Sequence, residues 1–203
     1  MRKKNLILVG GGGHCNACLD VITLLGFYNI VGIVEKNDTK LEKINNYPVF
    51  KDNEITELSK SCKNFLLTIG KIGDSKVREN IFHTLEALGI SIASLISPTA
   101  YVAKNVHFGL GVHIMHHAII NTNASIGENT IINSQSLIEH DSNIGSHSHI
   151  STGVKINGEV NIGNNTFIGS GTIIHEGVNI GNDVVITAGS VINRDISDET
   201  KYQ

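Results

Sequence analysis

The sequence predicts two modules in tandem: an α/β module built on a small parallel sheet, then a parallel β-helix of six-residue turns. Three observations point to this. An apolar residue recurs at every sixth position from Val102 to Ile192 without a break, and every one after Phe108 is Ile. A second column, four residues further on, is small or β-branched from Val106 to Ser190. Before residue 98 the period changes, and short apolar runs alternate with helix-patterned stretches around a Gly-rich turn.

Asn5-Leu6-Ile7-Leu8-Val9 reads as a strand buried on both faces, followed by Gly10-Gly11-Gly12-Gly13-His14. A helix is expected from about Asn16 to Leu25, with Leu19, Ile22 and Leu25 on one face. Ile30 to Val34 is a second strand, ended by Glu35, and Ile55 to Lys60 a short helix. Phe65 to Ile69 is a third strand closed by Gly70, Val77 to Leu88 an amphipathic helix, and Ile90 to Ile96 strand-like. Alternating strands and helices imply a small parallel, Rossmann-like sheet over residues 1–97. The boundary falls at Ser97-Pro98, and residues 98–203 form the second module.

An α-helix cannot hold that second pattern. Six residues rotate a helix by about 600°, so the Ile column would smear around its surface. A solenoid of short strands and corners accommodates the period, with the aliphatic column as its inner ladder. The position after each Ile is often Gly or Asn, as at Gly109, Gly127, Gly145 and Gly163. Both residue types tolerate positive φ, so this column is expected to form the tight corners.

Composition narrows the function. The net charge is −3, and beyond the trio Arg2-Lys3-Lys4 nothing is basic enough for a nucleic-acid partner, whose phosphates need clustered Lys and Arg. The apolar run Leu6 to Val9 is too short for a signal peptide, and no stretch approaches the ~20 apolar residues of a membrane helix. A cytoplasmic protein is expected. Three cysteines do not suggest a disulfide framework. Cys15 and Cys18 form a C-x-x-C, but without a second ligand pair they read as small buried residues at the start of a helix.

Two constellations carry chemistry. A strand, a Gly-rich turn and a helix make a phosphate-binding arrangement, because glycines let an anion approach the helix-terminal N–H groups. Glu35, ending the next strand, stands where an acidic residue commonly contacts a ribose. The second constellation is Glu139-His140-Asp141, where an imidazole outside the core columns lies between two acids. Such a histidine accepts a proton near neutral pH, and a neighbouring carboxylate orients it and stabilises the imidazolium.

The stretches GGGGHCNACLDV, NFLLTIG and NSQSLIEHDSNIGSHSHIS, together with the unbroken repeat, resemble the sialic-acid and amino-sugar acetyltransferase family. The chain looks most like bacterial N-acetyltransferases of nucleotide-linked 4-amino-4,6-dideoxy sugars, the bacillosamine type. The resemblance implies a left-handed β-helix, three six-residue units to a coil, homotrimeric assembly and acetyl-CoA as co-substrate. It places nucleotide-sugar contacts at Gly12, Gly13, His14, Glu35, Lys36 and Gly70, with Lys36 standing where that family has an acid. It makes His140 the general base and puts Asp141 where the family has a Glu that raises the base's pKa, with Asn133 in the same catalytic group. It assigns acetyl-CoA contacts to His149, Gly158, Ser170 and Ala188. The implied chemistry is direct transfer: His140 takes a proton as the sugar amine attacks the thioester. His140 and His149 are nine residues apart, half an eighteen-residue coil, so one site is expected to draw on two chains. The family continues past its last rung into a Gly-x-Pro-Ala-Lys segment, before which this sequence stops.

Three alternatives stand beside this reading. O-acetylation of a sialic-acid-like sugar uses nearly the same chemistry. A zinc enzyme is suggested by His113, His116 and His117, but the Gly-rich module would then have no role, and no metal is expected. A non-catalytic binding protein does not account for the Glu139-His140-Asp141 cluster. His107, His116, His117 and His175, with His113 and His147, are expected at the surface or an interface. The nucleotide, whether UDP, GDP or CMP, stays open.

Overall fold

A computed structural model describes residues 3–73 and 76–202. The chain divides into two compact units: residues up to 70 with 78–95, and 71–77 with 96 onward. The short segment Lys71–Val77 thus belongs with the second unit, although it lies within the stretch of sequence that reads as the first.

The first unit holds β1 (Lys4–Val9), α1 (Gly13–Leu25), β2 (Tyr28–Glu35), β3 (Lys43–Ile44), β4 (Tyr47–Lys51), α2 (Ile55–Ser61), β5 (Asn64–Leu67), α3 (Val77–Ala87) and β6 (Ser91–Ile92). Its sheet runs β3-β4-β2-β1-β5-β6. Every pair is parallel except the β3–β4 hairpin. Central β1 is buried from Leu6 to Val9. Ile7 and Val9 join Phe65, Leu67, Phe82 and Leu85 in one core. Strand alternation turns Leu6 and Leu8 to the other side, where α1 buries Cys15, Cys18, Val21 and Ile22. Helices on both faces explain why β1 reads as a continuous apolar run.

The hairpin was not expected from the sequence. Its two turn residues, Asn45 (φ 49°) and Asn46 (φ 68°), both take the left-handed conformation that a two-residue turn needs. Asn45 also donates to Asn16 on α1 (2.7 Å), which ties the hairpin to the helix beside the Gly-rich turn.

The second unit is a parallel β-helix. Sixteen two-residue strands run from Tyr101–Val102 to Val191–Ile192, and each as far as Ile173–Ile174 pairs with the strand eighteen residues on. With Leu95–Ile96 and Lys201–Tyr202 added at the two ends, they stack into three faces of seven, six and five strands. The seven-stranded face includes His113–Ile114, Ile131–Ile132, His149–Ile150, Phe167–Ile168 and Val185–Ile186. The six-stranded face includes Leu137–Ile138, Lys155–Ile156 and Ile173–Ile174, and the five-stranded face Asn143–Ile144 and Asn161–Ile162. The Ile column is the core: Ile114, Ile120, Ile132, Ile138, Ile150, Ile156, Ile168 and Ile174 are all fully buried. The second column completes it with Val112, Ala118, Thr130, Ser142, Val154 and Thr166. Its hydroxyls satisfy inward carbonyls of the next coil, as Thr130 does to Gly145 (2.8 Å) and Ser148 to Gly163 (3.0 Å).

The corners work differently from the sequence expectation. Positive φ falls three residues after the Ile column, not one: every sixth residue from Gly111 to Gly189 has φ between 55° and 75°. Nine of these are side-chain-bearing residues, including His117, Asp141 and His147. The Gly column has another cause. At Gly145 a Cβ would lie 2.5 Å from the Gly163 carbonyl carbon, and at Gly163 2.6 Å from that of Gly181. These glycines let one coil's backbone rest on the next.

Gly145→Ala and Gly153→Ala separate the two effects. Gly153 has φ 69° and open space around its missing Cβ, so alanine there should cost only about 1–2 kcal/mol from conformation. Gly145→Ala forces apart the backbones of stacked coils and should cost about 3 kcal/mol or more, read as a much larger fall in Tm. Equal losses would contradict the stacking role.

Candidate active site

In the first unit, β1 is flanked by β2 on one side and β5 on the other, so the strand order reverses at β1. Ligands of open α/β sheets sit at the carboxyl ends of the strands at such a point. The Gly-rich turn leaves β1 there, Gly70 follows β5, and Glu35 ends β2. Gly10 has φ 99°, and its carbonyl accepts from Thr68 (2.6 Å). Gly11 donates its N–H to Glu35 Oε1, while Glu35 Oε2 accepts from Lys36 N (3.4 Å). Glu35 therefore braces the turn, a use of the carboxylate the sequence did not disclose. Gly12 caps α1 without a side-chain cap, and nothing lies within 4 Å of a Cβ built on Gly12 or Gly13. The amino end of α1 is thus open to an anion. His14 packs against Gly70, with its Cβ 3.5 Å from where a Gly70 Cβ would be, and Lys36 is exposed. The six expected substrate residues thus gather at one end of one sheet.

Cys15 and Cys18 are fully buried thiols outside any disulfide among the described residues. Burial raises the Cys15 thiol and pushes Cys18 up to about 12, the opposite of what a reactive thiolate needs. Arg78, which the sequence did not single out, is buried and donates to the carbonyls of Leu67 (2.8 Å) and Ile69 (2.7 Å). It ties α3 to the loop that delivers Gly70. Burial lowers its guanidinium to about 10.

In the β-helix, His140 lies on the corner between the six- and five-stranded faces. Its Nδ1 meets Asp141 Oδ2 at 2.8 Å. A carboxylate only accepts, so Nδ1 carries the proton and Nε2 holds the lone pair. Asp141 sits at φ 61°, and its other oxygen accepts from Asn123 (2.9 Å), one coil away. Glu139 accepts from Asn121 (2.8 Å) in the same fashion. Gly158 lies on the next coil directly against the imidazole, and a Cβ there would be 2.8 Å from Nε2. His140, Asn157, Gly158, Glu159, Glu176 and Gly177 line a groove of about 420 Å³.

The hydrogen bond to Asp141 raises the pKa of His140, helped by the charges of Asp141, Glu139 and Glu159. Hydrogen bonds from Asn123 and then His140 hold Asp141 below the usual carboxylate range. Both side chains are about half exposed in a single chain, so water screens the pair.

The other expected residues lie elsewhere on the coil. His149 is on the seven-stranded face, buried to 7 % exposure, and edge-on to Phe167 at 5.4 Å. Asn133 follows Ile132 off that face and donates to His149 Nε2 (3.3 Å), so within one chain it partners His149 and not His140. Ser170 and Ala188 stack one coil apart on the same corner as Asn133, with Ser170 bonded to Ser151 (2.8 Å). One chain thus carries His140 and Gly158 on one corner, and Asn133, Ser170 and Ala188 on the next. His113 and His147, expected at a surface or interface, are buried. His147 is held at its corner by Asn129, which donates to Nδ1 (2.9 Å), and by the Lys71 ammonium, which donates to its carbonyl (3.0 Å).

Because its pKa is raised, the His140 ring stays cationic to a higher pH than an ordinary imidazole, near ~6.5. Asp141→Asn removes the main cause and should lower the midpoint towards that value in an NMR titration of the ring. A midpoint that stays or rises would contradict the pairing.

The profile of the PglD N-terminal domain matches residues 5–85, and that of bacterial transferase hexapeptide repeats matches 159–194. No curated protein matches the sequence. Among solved structures, PerB from Caulobacter crescentus, in complex with CoA and GDP-perosamine, superposes with a TM-score of 0.88 at 28% identity, over 96% of this chain and 91% of that one. The acetyltransferase domain of PglB from Neisseria gonorrhoeae gives 0.85 at 28%, over 96% and 93%. WeeI from Acinetobacter baumannii, at 20% identity and 0.86 over 97% and 94%, shares the fold. The chain therefore joins a PglD N-terminal domain to the left-handed β-helix of hexapeptide acyltransferases.

Proposed function

We propose that the chain is an acetyl-CoA-dependent N-acetyltransferase acting on the 4-amino group of a nucleotide-linked amino-dideoxy sugar. Residues 1–97 hold the nucleotide sugar, and residues 98–203 carry the transfer chemistry. The observation that bears most weight is His140, with its Nδ1–H held by Asp141 and its Nε2 lone pair over Gly158 in an open groove. PerB, solved with CoA and GDP-perosamine, and the PglB acetyltransferase domain favour an amino-sugar acceptor over the O-acetylation of a sialic-acid-like sugar.

Nε2 of His140 takes a proton from the sugar's nitrogen as that nitrogen attacks the thioester carbonyl of acetyl-CoA. The C–S bond breaks as the tetrahedral intermediate collapses, and the leaving thiolate takes the proton from the His140 imidazolium, giving CoA–SH and restoring the base. Asp141 stays ionised and steadies the imidazolium. The Gly158 N–H is positioned to stabilise the oxyanion. At the Gly-rich turn, the open amino end of α1 receives the diphosphate, with Gly12, Gly13 and His14 beside it. Glu35, Lys36 and Gly70 complete that contact surface. Acetyl-CoA lies along His149, Ser170 and Ala188.

Homotrimeric assembly reconciles the two separated corners. The outward residues of the six-stranded face are Tyr101, Ile119, Leu137, Lys155, Ile173 and Val191. Tyr101, Ile119, Ile173 and Val191 are exposed apolar groups. The five-stranded face instead presents a polar ladder, Ser125 to Asn143 to Asn161 to Asn179, hydrogen-bonded along its length. Packing three apolar faces around a threefold axis sets the Asn133 corner of one copy against the His140 corner of the next. Each junction then contains a base from one chain and a cofactor wall from its neighbour. No described helix is long and apolar enough to cross a membrane, and the working location is proposed to be the cytoplasm, with no nucleic-acid partner.

The test is thiol release from acetyl-CoA with a panel of nucleotide-linked amino sugars. His140→Ala should lower kcat by about 10²–10⁴ while acetyl-CoA binding persists. A variant turning over at the wild-type rate would overturn the assignment, as would a wild-type protein inert towards every amino sugar.

A further inference from the structure

Lys71 is buried to 3 % exposure, an unusual place for an ammonium group. Its Nζ donates to the carbonyl of His147 (3.0 Å), to the carbonyl of Asn165 (2.7 Å) and to the side-chain oxygen of Asn165. These acceptors sit eighteen residues apart, on successive coils at the corner between the five- and seven-stranded faces. Lys76 approaches Asp183 on the following coil of that corner (3.6 Å). Lys71 and Lys76 thus both reach the prism, and the first is a buried cation whose donors are met by carbonyl oxygens.

The backbone carbonyl of the same residue has a second role. It meets Nδ1 of His149. A carbonyl oxygen only accepts, so Nδ1 of His149 must carry hydrogen. The far side of the ring agrees independently. Asn133 Oδ1 accepts the Ser134 N–H (2.8 Å), which fixes the direction of the amide and turns Nδ2 to His149 Nε2. An amide nitrogen only donates, so Nε2 is the acceptor. Both neighbours select one neutral tautomer.

We propose that Lys71 is a positioning residue for the acyl-donor site: its ammonium pins the strap whose carbonyl holds His149 as the Nδ1–H tautomer. His149 then offers Nε2 as a hydrogen-bond acceptor, taken by Asn133 Nδ2 until a ligand donor displaces it, and does not act as a cation. The group it recognises is a donor, an amide N–H or hydroxyl of the pantetheine arm, and not a phosphate. The recognition half of this statement rests on the proposed function; the tautomer half does not.

The test uses the full-length protein labelled with ¹⁵N at histidine. In the wild type without ligand, His149 should show the Nδ1–H pattern at neutral pH. Lys71→Met keeps the length of the stem and removes the charge. It should leave His149 a mixture of tautomers and raise the KM for acetyl-CoA about tenfold. The kcat at saturating acetyl-CoA, and the pH limb set by His140, should not move. A merely structural role would lower Tm without this split. An Nε2–H tautomer in the wild type overturns the proposal even if Lys71→Met fails to fold. So does a folded Lys71→Met protein with unchanged tautomer and KM. If the tautomer shifts as expected but acetyl-CoA binds neither protein, the acyl-donor reading of the site fails and with it the recognition half, while the clamp on His149 stands.

Discussion

The outward features of the β-helix follow from one constraint: up to the last coil, each residue rests on the residue eighteen positions further on. Parallel pairing at that spacing turns columns of the sequence into ladders along the prism. The ladder inside is aliphatic. The ladders outside are one apolar face, one amide face, and corners where particular side chains meet. His140 is part of such a column. Its downstream neighbour is Gly158, and only the absence of a Cβ there leaves room for the imidazole ring. Asp141 stands on Asn123 in the same way, and that contact holds the carboxylate that orients the base.

A rigid prism has a chemical consequence. Short hydrogen-bonded coils offer little freedom for the base to drift, so its direction is set before any substrate arrives. It also divides the labour. The corner with His140 and the corner with Asn133, Ser170 and Ala188 flank the same apolar face, and one chain cannot fold them together. In the proposed trimer, burying that face against other copies joins the corners with no change in either. The first unit adds the open amino end of α1, shaped by Gly10, Gly11 and Glu35 and proposed to take the diphosphate.

Much of this was legible in the sequence, and the exceptions share a cause. The period of six survived because no insertion interrupts it, and Glu139-His140-Asp141 stood out because charged residues are sparse among the rungs. The Gly column was visible, but its reason was misread. Periodicity marks which residues share a ladder, not which of them turns the corner, and Asp141, His147 and Glu159 take positive φ without being glycine. The Lys43–Lys51 hairpin escaped because β3 is too short to show alternation; Asn45-Asn46 was its available signal. Lys71 and Arg78 escaped because a cation in sequence reads as surface. Only the tertiary arrangement of carbonyls shows that each is held inside.

The central claim is that a complete site takes its base from one copy and its cofactor wall from the next. The most direct measurement mixes His140→Ala and His149→Ala in equal amounts under conditions that exchange subunits, at an acetyl-CoA concentration where each alone is inactive. If sites form across junctions, about a quarter of them regain both histidines by random assortment, and thiol release should return to about that share of the wild-type rate. No recovery in trimers shown to contain both variants would contradict the claim and place each site within a single chain.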